Sequence, residues 1–382
     1  MRLVVALAIA LVVGCSAATP PPSSQPASAG RSVAVAATAS PVLSSARPSV
    51  GPPQVPVDDL ANWHDVVGDW TGIQGTAISS RWIAWDGWAP GRDPHRDPMS
   101  IGIQDRATGR SSTLTTAPQP AGAIGFLRIT DTWAAWADYT DTSNVTDWQL
   151  RAMQLPSGQT KTLLRAPSDA TVGDRPEFAI WGDRLVVAAR PSGAARHELL
   201  LLDLKSGART TLREAEAGEV FGYPSTDGAR VAAESHVGGV DSILLLSLGS
   251  TESMRVGGPS EPASEPAFVG DFLAYKAGPR YAVGPIRLRN LKTGELLDPV
   301  PWGSDAPIGS ERYVAWQVFD SVGPARSAPI FVFDAVAGRG YTITPPRSVS
   351  FDRFALSGGD LVFRAFAPPP NQSESVRLVT VP

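Results

Sequence analysis

Three observations predict an all-β chain. One strand-like phrase recurs seven times, a glycine turn follows most copies, and no helical periodicity is found beyond the N-terminus. The phrase is clearest at residues 310–344. It has a tight turn (Ser310, Glu311, Arg312), an apolar run ending in an aromatic (YVAW, 313–316), a polar loop, a second apolar run (IFVF, 330–333), then Asp334 to Gly338 and a third run. Together these specify a seven-bladed β-propeller of four-stranded antiparallel blades, preceded by a leader and a linker. A pair of β-sandwiches would have no reason to repeat one phrase seven times.

The first run recurs as RWIAW (81–85), TWAAW (132–136), RLVV (184–187), RVAA (230–233), FLAY (272–275), YVAW (313–316) and DLVF (360–363). Successive copies lie 41 to 51 residues apart, a spacing suited to propeller blades. A second run follows each copy, and several lead into an Asp/Asn-x-x-Thr/Ser-Gly turn, as in Asp105 to Gly109, Asp203 to Gly207 and Asn290 to Gly294. Glycine supplies the positive φ of a hairpin bulge, and the Asp or Asn side chain caps the turn. With one strand before the aromatic run and one after the glycine turn, each unit reads as four short strands. The aromatic set Trp85, Trp136, Tyr275, Trp316 and Phe363 is expected to pack between blades. The seventh unit reaches Pro382 after its third strand, so the segment around residues 55–70 is expected to supply the fourth.

The runs Gly182-Asp183-Arg184-Leu185-Val186-Val187 and Gly270-Asp271-Phe272-Leu273-Ala274-Tyr275, with the turn from Asp203 to Gly207, resemble TolB-like or WD40-like bacterial propellers. The resemblance covers most of residues 70–382. It implies the fold, and it implies scaffold, binding or enzyme roles without choosing among them. The family's Ser-Pro-Asp-Gly turn is absent; Ser225-Thr226-Asp227-Gly228 approaches it, which marks a divergent relative.

Residues 1–14 carry one positive charge, Arg2, and an apolar run at 3–13. Eleven residues have the length of a signal-peptide core and fall short of the ~20 needed for a spanning helix. The run ends Leu11-Val12-Val13-Gly14-Cys15, which resembles a bacterial lipobox. That resemblance implies cleavage before Cys15 and lipidation of its thiol, with a palmitate-like acyl anchor in the membrane. Cys15 is the only cysteine, so it has no disulfide partner in the chain. Residues 15–55 are dominated by Ser, Ala, Pro, Gly and Thr and bury too little apolar surface to fold, so they read as a disordered tether. The propeller is assigned to residues 56–382.

A net charge of −4 over 382 residues argues against nucleic acid as a partner. The four histidines, His64, His95, His197 and His236, have no metal-ligand spacing, and no cofactor is expected. Asp93, His95 and Asp97, and separately Asp138, Asp141, Ser143 and Asp147, offer oxygens or nitrogens but read better as polar turns. No nucleophile elbow or phosphate-binding glycine loop is present. The variable loops between second and third strands lie at one end of the ring, where binding residues are expected. Trp88, Arg92, His95, Tyr139, His236, Arg280, Tyr281, Arg326 and Arg364 are the candidates. A third reading, small-ligand sensing in the channel, would need a closed pocket lined by first-strand residues such as Phe126 and Arg128, or Glu177 and Phe178.

The functional expectation is an extracytoplasmic, membrane-anchored lipoprotein, monomeric, whose propeller is a non-catalytic binding or assembly platform for an envelope protein, peptide or glycan. The alternative is a propeller enzyme, a polysaccharide lyase or hydrolase, acting at the loop end.

Overall fold

Small and bulky apolar residues on the second strand of each repeat let sheets stack face to face around a ring. In this computed structural model seven sheets do so. Residues 54–56, 64–66, 69–250, 252–280, 282–303, 306–317, 328–345, 350–366 and 374–382 are described, within one unit spanning Ser49–Pro382. Cys15, the leader, most of the tether, Tyr281 and Arg326 lie outside them.

Blade 1 comprises Thr71–Ile78, Trp82–Trp88, Ser100–Asp105 and Ser111–Thr116, hydrogen-bonded in that order from the channel outward. Blade 2 repeats it with Ala123–Ile129, Trp133–Tyr139, Gln149–Gln154 and Thr160–Arg165, and blades 3 to 7 follow. The described residues contain one short 3-10 turn, Val172–Asp174, and no helix long and apolar enough to cross a membrane.

The aromatic set is buried as expected, with Trp85, Trp136, Trp316 and Phe363 at 1 % exposure or less. Trp85 packs with Trp70, Val362 and Val376 at the seam between blades 7 and 1. Its indole lies over Gly102, its partner on the third strand, where a Cβ would stand 2.2 Å from the ring. The glycine is therefore a space-filling requirement of the tryptophan.

The ring closes on itself. His64 and Asp65 pair antiparallel with Leu378 and Arg377, and Val66 N donates to Val376 O at 2.8 Å. Residues 64–66 thus complete the last blade, covering an edge that would otherwise present unpaired backbone groups. Gln54–Pro56 does not join that blade. It pairs parallel with Arg339–Ile343, the outer strand of blade 6, as a fifth strand.

The turns between first and second strands, and between third and fourth, lie at one end of the ring, the turn end. The longer loops lie at the other, the loop end. Arg339–Ile343 runs away from the Asp334 to Gly338 turn, so Gln54 of the parallel strand lies toward the turn end.

Candidate functional site

The inner strands are not regular. In blades 2, 4, 5 and 7 a bulge breaks the register between first and second strands. At the same place in each stands a bulky residue with positive φ: Phe126 (57°), Tyr223 (40°), Glu265 (55°) and Arg353 (50°). Such a backbone costs about 1–3 kcal/mol per residue and persists only where its surroundings hold it. Those surroundings are visible. The Glu177 carboxylate accepts the Tyr223 N–H at 2.5 Å, and the Glu234 carboxylate accepts the Glu265 N–H at 3.2 Å. In each case the blade before ties down the bulge of the blade after.

Glu234 belongs to a set of side chains from one position on the second strand, the residue after the apolar run, which ends in an aromatic in five of the seven blades. In sequence order it is Asp86, Ala137, Ala188, Glu234, Lys276, Gln317 and Arg364. Asp86 accepts from Gln74 N at 3.1 Å. Lys276 donates to Glu265 at 2.7 Å. Gln317 donates to Phe351 O at 2.7 Å, and Arg364 to Ile73 O at 2.6 Å. A polar belt therefore runs behind the channel wall in blades 1, 4, 5, 6 and 7, while blades 2 and 3 carry alanine there. Burial pushes Asp86 up to about 7, against backbone hydrogen bonds from Gly75 and Gln74 that favour the charged form. Burial likewise pushes Glu234 up to about 7, opposed by the charge of Arg280. Carboxylates poised near neutrality can serve proton transfer, but these two are 0 % and 1 % exposed and face packed sheet.

The turn end of the channel opens into a chamber of about 1160 Å3. Phe126, Arg128, Glu177 and Phe178, the residues expected to line such a pocket, all line it, with Tyr223 and Glu265. Ala179, Ile308 and Leu356 form apolar wall higher up, and Trp181 stands 44 % exposed at the rim. Gly228, at φ 83°, makes room for Trp181; a Cβ there would come within 2.4 Å of its indole nitrogen. Turns of adjacent blades are laced together around the rim: Trp82 Nε1 donates to Asp131 O at 3.0 Å and Trp133 Nε1 to Asp183 Oδ1 at 2.9 Å. The rim is thus a fixed collar. A second cavity of about 450 Å3 lies at the seam of blades 1 and 7, between Val66, Ile83, Arg106 and Leu378.

The loop-end candidates fall into two groups. Trp88, Tyr139, Arg280 and Arg364 are built into the fold. Trp88 is buried and donates through Nε1 to Asp97 O at 2.9 Å; Tyr139 is also buried. Arg280 reaches Glu177 at 2.7 Å and lies over the Tyr223 ring at 4.6 Å, while Arg364 pairs with Asp352. Arg92, His95 and His236 remain at the surface. His236 Nδ1 lies 2.6 Å from Asp241 Oδ1, whose other oxygen accepts the Arg280 N–H at 2.7 Å. The polar turns act as turns: Asp97 accepts the Asp93 N–H, and Asp141 accepts from Ser143 and Asn144. Among the described residues no group of three or more His, Cys, Asp or Glu is arranged to hold a metal ion.

No family model matches the chain, and no curated protein matches it. Solved propellers do. An oligogalacturonate lyase in complex with manganese is 14% identical, with 84% of this chain and 93% of that one covered and a TM-score of 0.53. A puromycin hydrolase is 12% identical, covering 82% of this chain but 54% of its own, with a TM-score of 0.55. TolB from Acinetobacter baumannii is 14% identical, covering 73% of this chain and 65% of its own, with a TM-score of 0.46. The chain thus spans about half the length of the hydrolase and just under two thirds of TolB. At these identities the likeness is one of fold alone, that of a β-propeller.

Proposed function

We propose that this chain is a lipoprotein of the bacterial cell envelope, held at a membrane through Cys15, whose propeller binds a partner without transforming it. The partner is an envelope protein, peptide or glycan, and part of it enters the turn-end chamber. The observation that carries this reading is the state of the charged groups around the channel. Glu177, Glu265, Arg280, Lys276 and Arg364 are engaged in ion pairs or backbone hydrogen bonds that hold the bulges. They make a rigid, shaped opening rather than a gathered acid, base and nucleophile. The leader and the Leu11 to Cys15 motif support the address.

The test is fractionation and light cross-linking in the native host, comparing the natural chain with Cys15→Ala. The natural chain is expected in the membrane fraction with one stoichiometric envelope partner. The variant is expected to leave that fraction and lose the partner. Unchanged membrane association of Cys15→Ala, with a free Cys15 thiol on the natural protein by mass spectrometry, would remove the anchor from this account.

A further inference from the structure

Among the described residues two cations line the turn-end chamber, and they stand differently. Lys205, at the rim, is held by Asp183 at 2.5 Å. Arg128 sits deeper, on the inner strand of blade 2. Its Nη1 donates to the carbonyl of Leu127 at 3.0 Å, and among the described residues no carboxylate lies within ion-pair distance of it. The carboxylates at its level are taken. Glu177 is held by Arg280 and the Tyr223 N–H, and Glu265 by Lys276. Asp86, whose field also reaches Arg128, is sealed inside blade 1. Arg128 is exposed to the chamber, and its position within the channel mouth partly desolvates the guanidinium, which works against its charged form. An anion entering the chamber would relieve this.

We propose that the turn-end chamber captures the C-terminal carboxylate of a peptide whose last side chain is apolar, with Arg128 as its counter-ion. The proposal rests on the reading of the chamber as a binding site and names what enters it. A guanidinium fork matches a carboxylate through two parallel hydrogen bonds. Around it the chamber offers Phe126, Phe178, Ile308 and Leu356, which suit an apolar side chain better than a hydroxyl-covered sugar. The rim carries Asp131, Asp183, Asp227 and Glu311, a collar unfavourable to polyanions. A peptide end brings a single negative charge, at its tip, past that collar.

The experiment is isothermal calorimetry on the full chain in detergent, with acetyl-Ala-Ala-Phe as probe in two forms, free acid and C-terminal amide, and with glucuronate. The acid is expected to bind, the amide about tenfold more weakly or worse, and glucuronate not at all. Arg128→Met should bring the acid down to the level of the amide, and Arg128→Lys should leave it in between. Equal binding of acid and amide, or acid binding untouched by Arg128→Met, overturns the proposal, as does glucuronate binding more tightly than the peptide. Ala179→Trp, which fills the chamber, separates the two readings. If acid and amide bind equally and both are lost in Ala179→Trp, the chamber is a binding site and the carboxylate assignment is wrong. If binding survives Ala179→Trp, both fall.

Discussion

Lys276→Met is expected to destabilise the propeller by about 3–5 kcal/mol, the usual consequence of removing one partner from a buried ion pair. Lys276 and Glu265 are 1 % and 4 % exposed at their side chains and lie 2.7 Å apart. Glu265 is also one of the four bulge residues at positive φ, and its N–H is held by Glu234. Removing the ammonium leaves a carboxylate in a site built to neutralise it, and strains a bulge that faces the channel. The second half of the prediction is that Lys276→Met combined with Glu265→Gln recovers most of the loss, because the orphaned charge is gone. Urea midpoints of the three proteins measure both. A single-variant shift below about 1 kcal/mol would mean that the belt contributes little to holding the ring.

Asp86 yields the second large effect, and its sign is specific. Its pKa in the fold is about 7, above the 3.8 of an ordinary aspartate. Between those values the native state binds more protons than the unfolded state, so stability falls as pH rises through this window. The penalty is complete above pH 7. Glu234, at about 7, has the same sign. Asp174 has the opposite one. Burial works against its charge, but hydrogen bonds from Arg190 and Thr171 hold it down to about 2, so its contribution is lost as pH falls below about 4 toward 2. Comparing Asp86→Asn with the natural chain isolates one group. At pH 8 the variant is expected to be more stable by on the order of 2–4 kcal/mol, and by pH 4.5 the difference should shrink toward zero. A pH-independent difference would show that the pKa of Asp86 is not raised in the fold.

The repeat makes the blades legible in the sequence, because every second strand must place small and bulky apolar residues against a neighbouring blade. The seam clasp was legible for a related reason: the last repeat lacks a strand, and an open edge needs a partner. The same logic misplaced the strand ends. A reading by hydrophobic pattern stops blade 1's second strand at the charge of Asp86, yet the strand runs on to Trp88. It also runs through Asp138 to Tyr139 and through Lys276 to Ala277. Each charge is buried there with a partner: Asp86 takes the Gln74 N–H of the inner strand, Asp138 the Trp136 indole and the Arg151 guanidinium, and Lys276 the Glu265 carboxylate. A bulge formed by Phe126 or Tyr223 at positive φ has no sequence signature; glycine would have given one. Several residues assigned to loops, Trp88, Tyr139 and Arg364 among them, are strand residues for this reason. The signal that would find the belt is the position after each apolar run, which reads Asp, Ala, Ala, Glu, Lys, Gln, Arg where a core strand should stay apolar.

The most direct measurement is photo-crosslinking in native-host membranes from benzoylphenylalanine placed at Trp181 on the chamber rim, with Met254 on the outer strand of blade 4 as control. Both positions are similarly exposed, at 44 % and 41 %. A binding propeller that works through its turn end predicts one defined adduct from position 181 and none from 254. The same adducts from both positions, or none from 181, would contradict it.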